Sequence, residues 1–163
     1  MNSAINYLLS IESKGIKLGL ERTQKIMTVC GNPHTDLPVI HIAGTNGKGS
    51  VCAILEKAFR LSKYKTGLFT SPHLVHVNER IRINGIPIKN LEIEEFINTF
   101  KIEIEKYNIT FFECITALSA WHFKNNNVDI AIMETGLGGR LDSVSICNPM
   151  LTIITPISYD HTE

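Results

Sequence analysis

Between Val39 and Ser50 the chain reads VIHIAGTNGKGS, and this stretch concentrates the groups best suited to chemistry. Gly44, Gly47 and Gly49 crowd around Lys48, with Thr45, Asn46 and Ser50 as small polar companions. Glycines let the backbone turn tightly so that several N–H groups face one anion. Lys48 adds a point charge, and a helix that begins after the loop presents its positive end. The chemistry implied is polyphosphate binding. Val39, Ile40 and Ile42 supply the short β-branched run of a strand covered on both faces. That context separates the stretch from a glycine-rich turn that merely contains a lysine. The spacing nevertheless departs from GxxxxGK[ST]: five residues before Gly47 stands Ile42, and Gly49 follows Lys48 in place of a hydroxyl residue. The usual magnesium-binding hydroxyl is therefore displaced or missing.

Two further strand ends carry candidate groups. Val128–Met133 reads as a strand aimed at Glu134, followed by a turn containing Gly136, Gly138 and Gly139. A carboxylate at a strand's end beside flexible backbone suits magnesium near phosphate, because magnesium takes one or two carboxylates plus phosphate oxygens. Thr66–Phe69 reads as another strand, delivering Ser71, Pro72 and His73 to the same kind of edge. On the residues alone, Ser71 is an ordinary turn hydroxyl at a Ser-Pro loop start. His73 and His76 form only a weak metal pair and read as structural or substrate-adjacent.

The elements that must position these groups follow from periodicity. Helices are expected over residues 3–12, 20–29, 50–61, 89–106 and from Thr110 through Phe123, with Val51, Ile54, Leu55, Ala58 and Phe59 forming the inward face of the third. Strands are expected near 39–43, 66–70, 128–134 and 150–157. Residues 75–88, with Asn84-Gly85, read as a surface hairpin outside the main sheet, with Arg80 and Arg82 on one face, where they either touch an anionic substrate or keep the hairpin wet. The fold class is α/β, a mostly parallel sheet with helices on both faces and a phosphate loop at its strand ends.

Composition narrows the rest. With 163 residues and 44% hydrophobic content, the chain can bury the core of one domain. Sixteen basic and sixteen acidic residues cancel, so no overall field gathers nucleic acid or anionic lipid. Four scattered cysteines without a CxxC pair read as reduced thiols, and neither an export signal nor a membrane segment is visible. A cytoplasmic protein is expected.

AGTNGKGS resembles the nucleotide loop of the folylpolyglutamate synthase and dihydrofolate synthase family, relatives of the Mur ligases. GLER at 19–22, TSPHL at 70–74, NERIRING at 78–85, ETGLGGRLD at 134–142 and DHTE at 160–163 also resemble family motifs, in family order. The resemblance implies that residues 44–50 hold ATP and that Ser71, Glu134 and His161 hold Mg²⁺. Lys48 and His161 would then be the catalytic positions. It also implies a pteroate pocket bordered by Glu12, Ser13, Thr110, Phe111, Phe112, Glu113, Leu141, Asp142 and Ser143, with Phe112 against a flat ring and Glu113 as a hydrogen-bond acceptor. Ser145 stands where the family usually has asparagine.

The reaction so implied is ATP-dependent ligation of L-glutamate to dihydropteroate or a folate through an acyl phosphate. The alternative is a nucleotide-binding module without turnover. An unrelated phosphate-loop ATPase or kinase is disfavoured, since the spacing fails and no kinase motif set is present. Family members are more than twice this long, so residues 1–163 are expected to form an ATP-binding domain incomplete at its C-terminal end, with the C-terminal glutamate-ligase domain absent. A monomer is expected when full length.

Overall fold

The computed structural model describes residues 3–15 and 17–158. Six strands form one sheet: β1 (Val39–Ala43), β2 (Thr66–Phe69), β3 (Ile81–Ile83), β4 (Ile86–Pro87), β5 (Ile130–Glu134) and β6 (Leu151–Ile154). Five helices accompany them: α1 (Ser3–Ser10), α2 (Glu21–Val29), α3 (Lys48–Leu61), α4 (Asn90–Lys106) and α5 (Phe111–Asn125). The strand order is β4-β3-β2-β5-β1-β6. β2, β5, β1 and β6 run parallel, whereas β3 and β4 extend the edge antiparallel. An α/β fold with a mostly parallel sheet is what the phosphate-loop context predicts.

β5 and β1 lie in the middle of the four parallel strands because their β-branched residues tolerate burial on both faces. Alternation along the strands divides the interior in two. Ile40, Ile42, Leu68, Ile130 and Ile132 pack with Cys52 of α3. Val39, Phe69, Ala131 and Met133 face the larger core filled by the other helices. On α3 the inward side is turned from that expected: Ile54 is 68% exposed, while Glu56 is buried and pairs with Arg60 at 2.8 Å. A carboxylate with its own arginine at i+4 can enter an interface that an isolated acid cannot.

The hairpin also differs from expectation. Residues 77–80 form a 3₁₀ turn, Ile81–Ile83 and Ile86–Pro87 pair as a short hairpin across Asn84-Gly85, and the first of these strands joins β2 as part of the main sheet. The Glu79 carboxylate explains the turn, since it accepts from the amides of Leu74, Val75 and His76 at 2.9, 3.0 and 2.7 Å. Three local backbone donors taken by one side chain offer residues 74–79 an alternative to a ladder. β6 is shorter than expected, ending at Ile154.

α5 holds the two layers together. Its first turn is closed by a capping box in which the Glu113 carboxylate accepts from the Thr110 amide at 2.8 Å. Near its end, Phe123 is fully buried against Gly67 of β2. A Cβ on Gly67 would lie 3.0 Å from two ring atoms, and the enclosed ring has nowhere to retreat. Gly67→Ala is therefore expected to destabilise the protein by about 1–3 kcal/mol, with Phe123→Leu in the same chain restoring part of the loss. Urea unfolding of the single and double variants checks this; a Gly67→Ala protein as stable as the parent contradicts it.

Candidate active site

Gly44 leaves β1 with φ +127°, and a Cβ there would fall 2.7 Å from the Thr155 carbonyl oxygen. Only glycine meets both conditions, the left-handed backbone and the close approach. The segment after β6 clamps this loop. The Thr45 and Asn46 amides donate to the Pro156 carbonyl at 3.2 and 3.4 Å, and the Thr45 hydroxyl donates to the Ser158 carbonyl at 3.1 Å. Gly47, φ +85°, then turns the chain into α3, whose first-turn amides belong to Lys48, Gly49 and Ser50. These donors together with the helix dipole form an anion site. Lys48 is held across it, its ammonium donating to the carbonyls of Gly44 and Thr45 at 2.8 and 3.2 Å.

Parallel pairing brings two more candidates to the loop. β5 lies between β1 and β2, so Glu134 ends its strand beside Ile42 while β2 ends one step earlier at Phe69, opposite Met133. The Ser71 amide donates to Glu134 Oε2 at 3.0 Å, and a Cβ on Gly49 would lie 4.0 Å from the same oxygen. Burial pushes the Glu134 carboxyl above its usual range, opposed by the Ser71 amide and by Lys48. Among the described residues, Oε1 accepts no hydrogen bond. No group of three or more His, Cys, Asp or Glu side chains clusters as a metal site among the described residues.

Beyond Ser71 opens a cavity of about 280 Å³, lined by four segments of the chain. Glu12, Gly15, Lys17 and Leu18 enter from the segment between α1 and α2. Ser71, Pro72 and Arg80 come from the loop after β2, and Thr110, Phe111 and Phe112 from the start of α5. Gly136, Leu137, Leu141, Asp142 and Ser143 close it from the loop after β5. The Phe112 ring lies so close to Gly136 that a Cβ there would sit 2.6 Å from it. Asp142 is a strut: its carboxylate accepts from the amides of Gly136, Leu137 and Val144, each at 2.9 Å. Ser145 donates to the Gly139 carbonyl at 2.8 Å, so a hydroxyl at this position ties the same glycine-rich turn. Ser143 takes part in a buried contact with the Thr23 hydroxyl at 3.1 Å.

Of the nine residues expected around a pteroate, Glu12, Thr110, Phe111, Phe112, Leu141, Asp142 and Ser143 line this cavity; Ser13 and Glu113 do not. The Ser13 hydroxyl points back to the Ser10 carbonyl. Glu113, 1% exposed, is consumed by the capping box and by Arg22, whose Nε lies 2.9 Å away, so it is no free acceptor. Its TxxE spacing with Thr110 is the sequence signal that would have assigned it to a helix cap. Arg80, for which contact with an anionic substrate and a wet strand face were both open, is 6% exposed at the cavity wall, which excludes the wet face. Lys17 and Leu18, also in the lining, carry no sequence signal of their own. His73 is structural, its Nδ1 accepting from Arg80 Nε at 2.7 Å. His161 lies outside the described residues.

A glycine-rich loop between a central parallel strand and a helix, with a carboxylate on the neighbouring strand end, defines a phosphate-loop α/β nucleotide-binding domain. The Mur ligase middle domain matches residues 42–163, and the chain belongs to that family. Within it the chain groups with the folylpolyglutamate and dihydrofolate synthases. A Bacillus subtilis dihydrofolate synthase/folylpolyglutamate synthase is 41% identical over 154 residues, covering 90% of this chain and 36% of that protein. The crystal structure of a Thermotoga maritima folylpolyglutamate synthase has a TM-score of 0.89 at 36% identity, covering 96% of this chain and 39% of the other. Escherichia coli FolC in complex with DHPP and ADP has a TM-score of 0.86 at 38% identity, covering 98% and 39%. The chain thus spans well under half the length of these relatives. No described helix is long and apolar enough to cross a membrane.

Two carboxylates predict opposite pH behaviour. Glu134 titrates above its unfolded value, so its contribution is complete below that value and lost as pH rises through the raised one. Glu134→Gln should therefore melt above the parent at pH 8 without metal or nucleotide, the gap closing towards pH 4. A lower melting temperature at pH 8 would count against this. Glu79 is held at about 2, first by the His76 and then by the Leu74 amide, against an ordinary 4.5. Its contribution is present above 4.5 and lost as pH falls towards 2. Denaturation at pH 7, 4 and 2.5 should show Glu79→Gln less stable at pH 7, with the gap smaller at pH 4 and smallest at pH 2.5.

Proposed function

We propose that this chain is the nucleotide-binding part of an ATP-dependent amide ligase that joins L-glutamate to the carboxylate of a dihydropteroate or folate. The supporting observation is the seam between the two sites. Ser71 lines the cavity, and its amide is bonded to Glu134 beside the phosphate loop. A flat acceptor in the cavity could therefore present its carboxylate to a terminal phosphate. The pairing of DHPP and ADP in the Escherichia coli relative supports the same two occupants here.

The loop amides and Lys48 would bind the polyphosphate and neutralise charge on the phosphoryl group in flight. Attack by the acceptor carboxylate on the γ-phosphorus breaks the bond to ADP and leaves an acyl phosphate. The glutamate amine then attacks the acyl carbon, losing a proton, and inorganic phosphate departs. No side chain is a covalent nucleophile in this scheme. Phe112, braced on Gly136, offers an apolar face to the acceptor ring. Asp142 keeps the wall in place through backbone contacts.

The donor set fits Mg²⁺: a buried carboxylate with one oxygen that accepts from no described residue, and a serine whose amide is bonded to the other oxygen beside the phosphate loop. Ser71 and Glu134 would hold the ion, with His161 as a further ligand, and the bound ion would neutralise phosphate charge. A C-terminal domain would complete the nucleotide and glutamate sites, in a protein acting as a cytoplasmic monomer.

The test is ADP release by the complete gene product with Mg²⁺ and ATP. Release should require both dihydropteroate (or tetrahydrofolate) and L-glutamate, and Lys48→Ala should lower it by at least about a hundredfold. Hydrolysis indifferent to both substrates would instead mark an ATPase, and nucleotide binding without release a non-catalytic module.

A further inference from the structure

Arg80 is 6% exposed, yet among the described residues no carboxylate pairs with it. Its protein partners are uncharged. Nε donates to Nδ1 of His73 at 2.7 Å, which requires that nitrogen to be unprotonated, and the guanidinium lies 5.0 Å over the Phe111 ring. These contacts fix the plane of the group without cancelling its charge. Its terminal nitrogens donate to no described protein acceptor, and the residue lines the same cavity as Ser71. Glu12, across the cavity, acts only at a distance and is itself exposed.

A buried cation held by neutral groups is unfavourable for folding alone, because desolvation is uncompensated by a counter-charge. The other arginines with buried acidic partners show the contrast: Arg22 has Glu113 and Arg60 has Glu56. A planar guanidinium with free donors is also the group that best matches a carboxylate. We infer that Arg80 is the residue that binds the carboxylate of the acceptor, accounting for its place in the cavity that Ser71 also lines. This inference rests on the ligase reading above and adds to it a specificity determinant for an acid at the acceptor's reactive end. Arg80 would hold the carboxylate while leaving an oxygen to face the phosphate loop. Lys17, the other cation of the lining, is exposed and lacks such bracing.

The experiment compares dihydropteroate with its carboxamide, in which the acid is replaced by an uncharged group of nearly the same shape. Binding is measured by calorimetry on the complete gene product with ADP and Mg²⁺ present, for the parent, Arg80→Gln and Arg80→Lys. The parent should bind the acid about ten- to a hundredfold more tightly than the amide, the range of a buried charge-assisted pair. Arg80→Gln should lose that preference by weakening the acid alone, leaving the amide and ADP affinities in place. Arg80→Lys should retain part of it.

A parent that binds acid and amide alike, or an Arg80→Gln protein that keeps the full preference, overturns the inference. If Arg80→Gln does not fold, the parent's acid-to-amide ratio and its reduction in Arg80→Lys decide. Failure of the ligase reading looks different: the parent then releases no ADP with dihydropteroate and glutamate. A parent that turns over dihydropteroate without an Arg80-dependent acid preference overturns this inference alone.

Discussion

The register of three adjacent parallel strands is the constraint on which the site depends. With β5 between β1 and β2, the phosphate loop, Glu134 and Ser71 leave the sheet at one edge without any long-range device to gather them. Ligands collect at such edges because the chain must turn there, exposing amides that no ladder partner takes. A one-residue slip of β5 would exchange Ala131 and Met133 with Ile130 and Ile132 between the two cores, so burial itself fixes where Glu134 stands.

Around that edge the polar groups fall into two kinds. Asp142, Glu79 and Glu113 spend their oxygens on nearby amides and, for Glu113, on Arg22, and so give shape to loops that have little apolar content. Charge-assisted bonds of this type are stronger than neutral ones, which suits segments that carry ligand-facing residues. Glu134 and Arg80 are different. Each is buried with capacity left over, one negative at the phosphate loop and one positive at the cavity wall. Residues unfavourable for folding and open to a ligand concentrate where binding is to occur.

Much of this was legible in the sequence, and the failures have physical causes. β1 coincides with its expected limits because β-branched burial is a local signal, and the phosphate loop follows it, although α3 begins at Lys48 rather than at Ser50. The hairpin across Asn84-Gly85 was legible, but its first arm was drawn too long: Ile81 and Ile83 alternate properly, whereas the turn before them is set by Glu79 reaching back to three amides, a preference that period-2 patterning does not register. Ile54 and Glu56 on α3 exchanged places because an acid with its arginine one turn away can be buried. Glu113 was assigned to a ligand although its spacing from Thr110 marks a helix cap. Arg80 could not be placed from sequence, since its burial arises from Phe111 and His73, contributed by different parts of the chain.

The division of the interior into two separately packed cores bears on how such a protein can diverge. The smaller one, between α3 and the sheet, supports the phosphate loop, while the larger one carries α5 and the walls of the cavity. Substitutions that reshape the cavity walls thus have little leverage on the packing beneath the phosphate loop, and drift in one core can proceed without repair in the other. Lineages sharing this architecture can remodel the cavity while the phosphate loop stays constant.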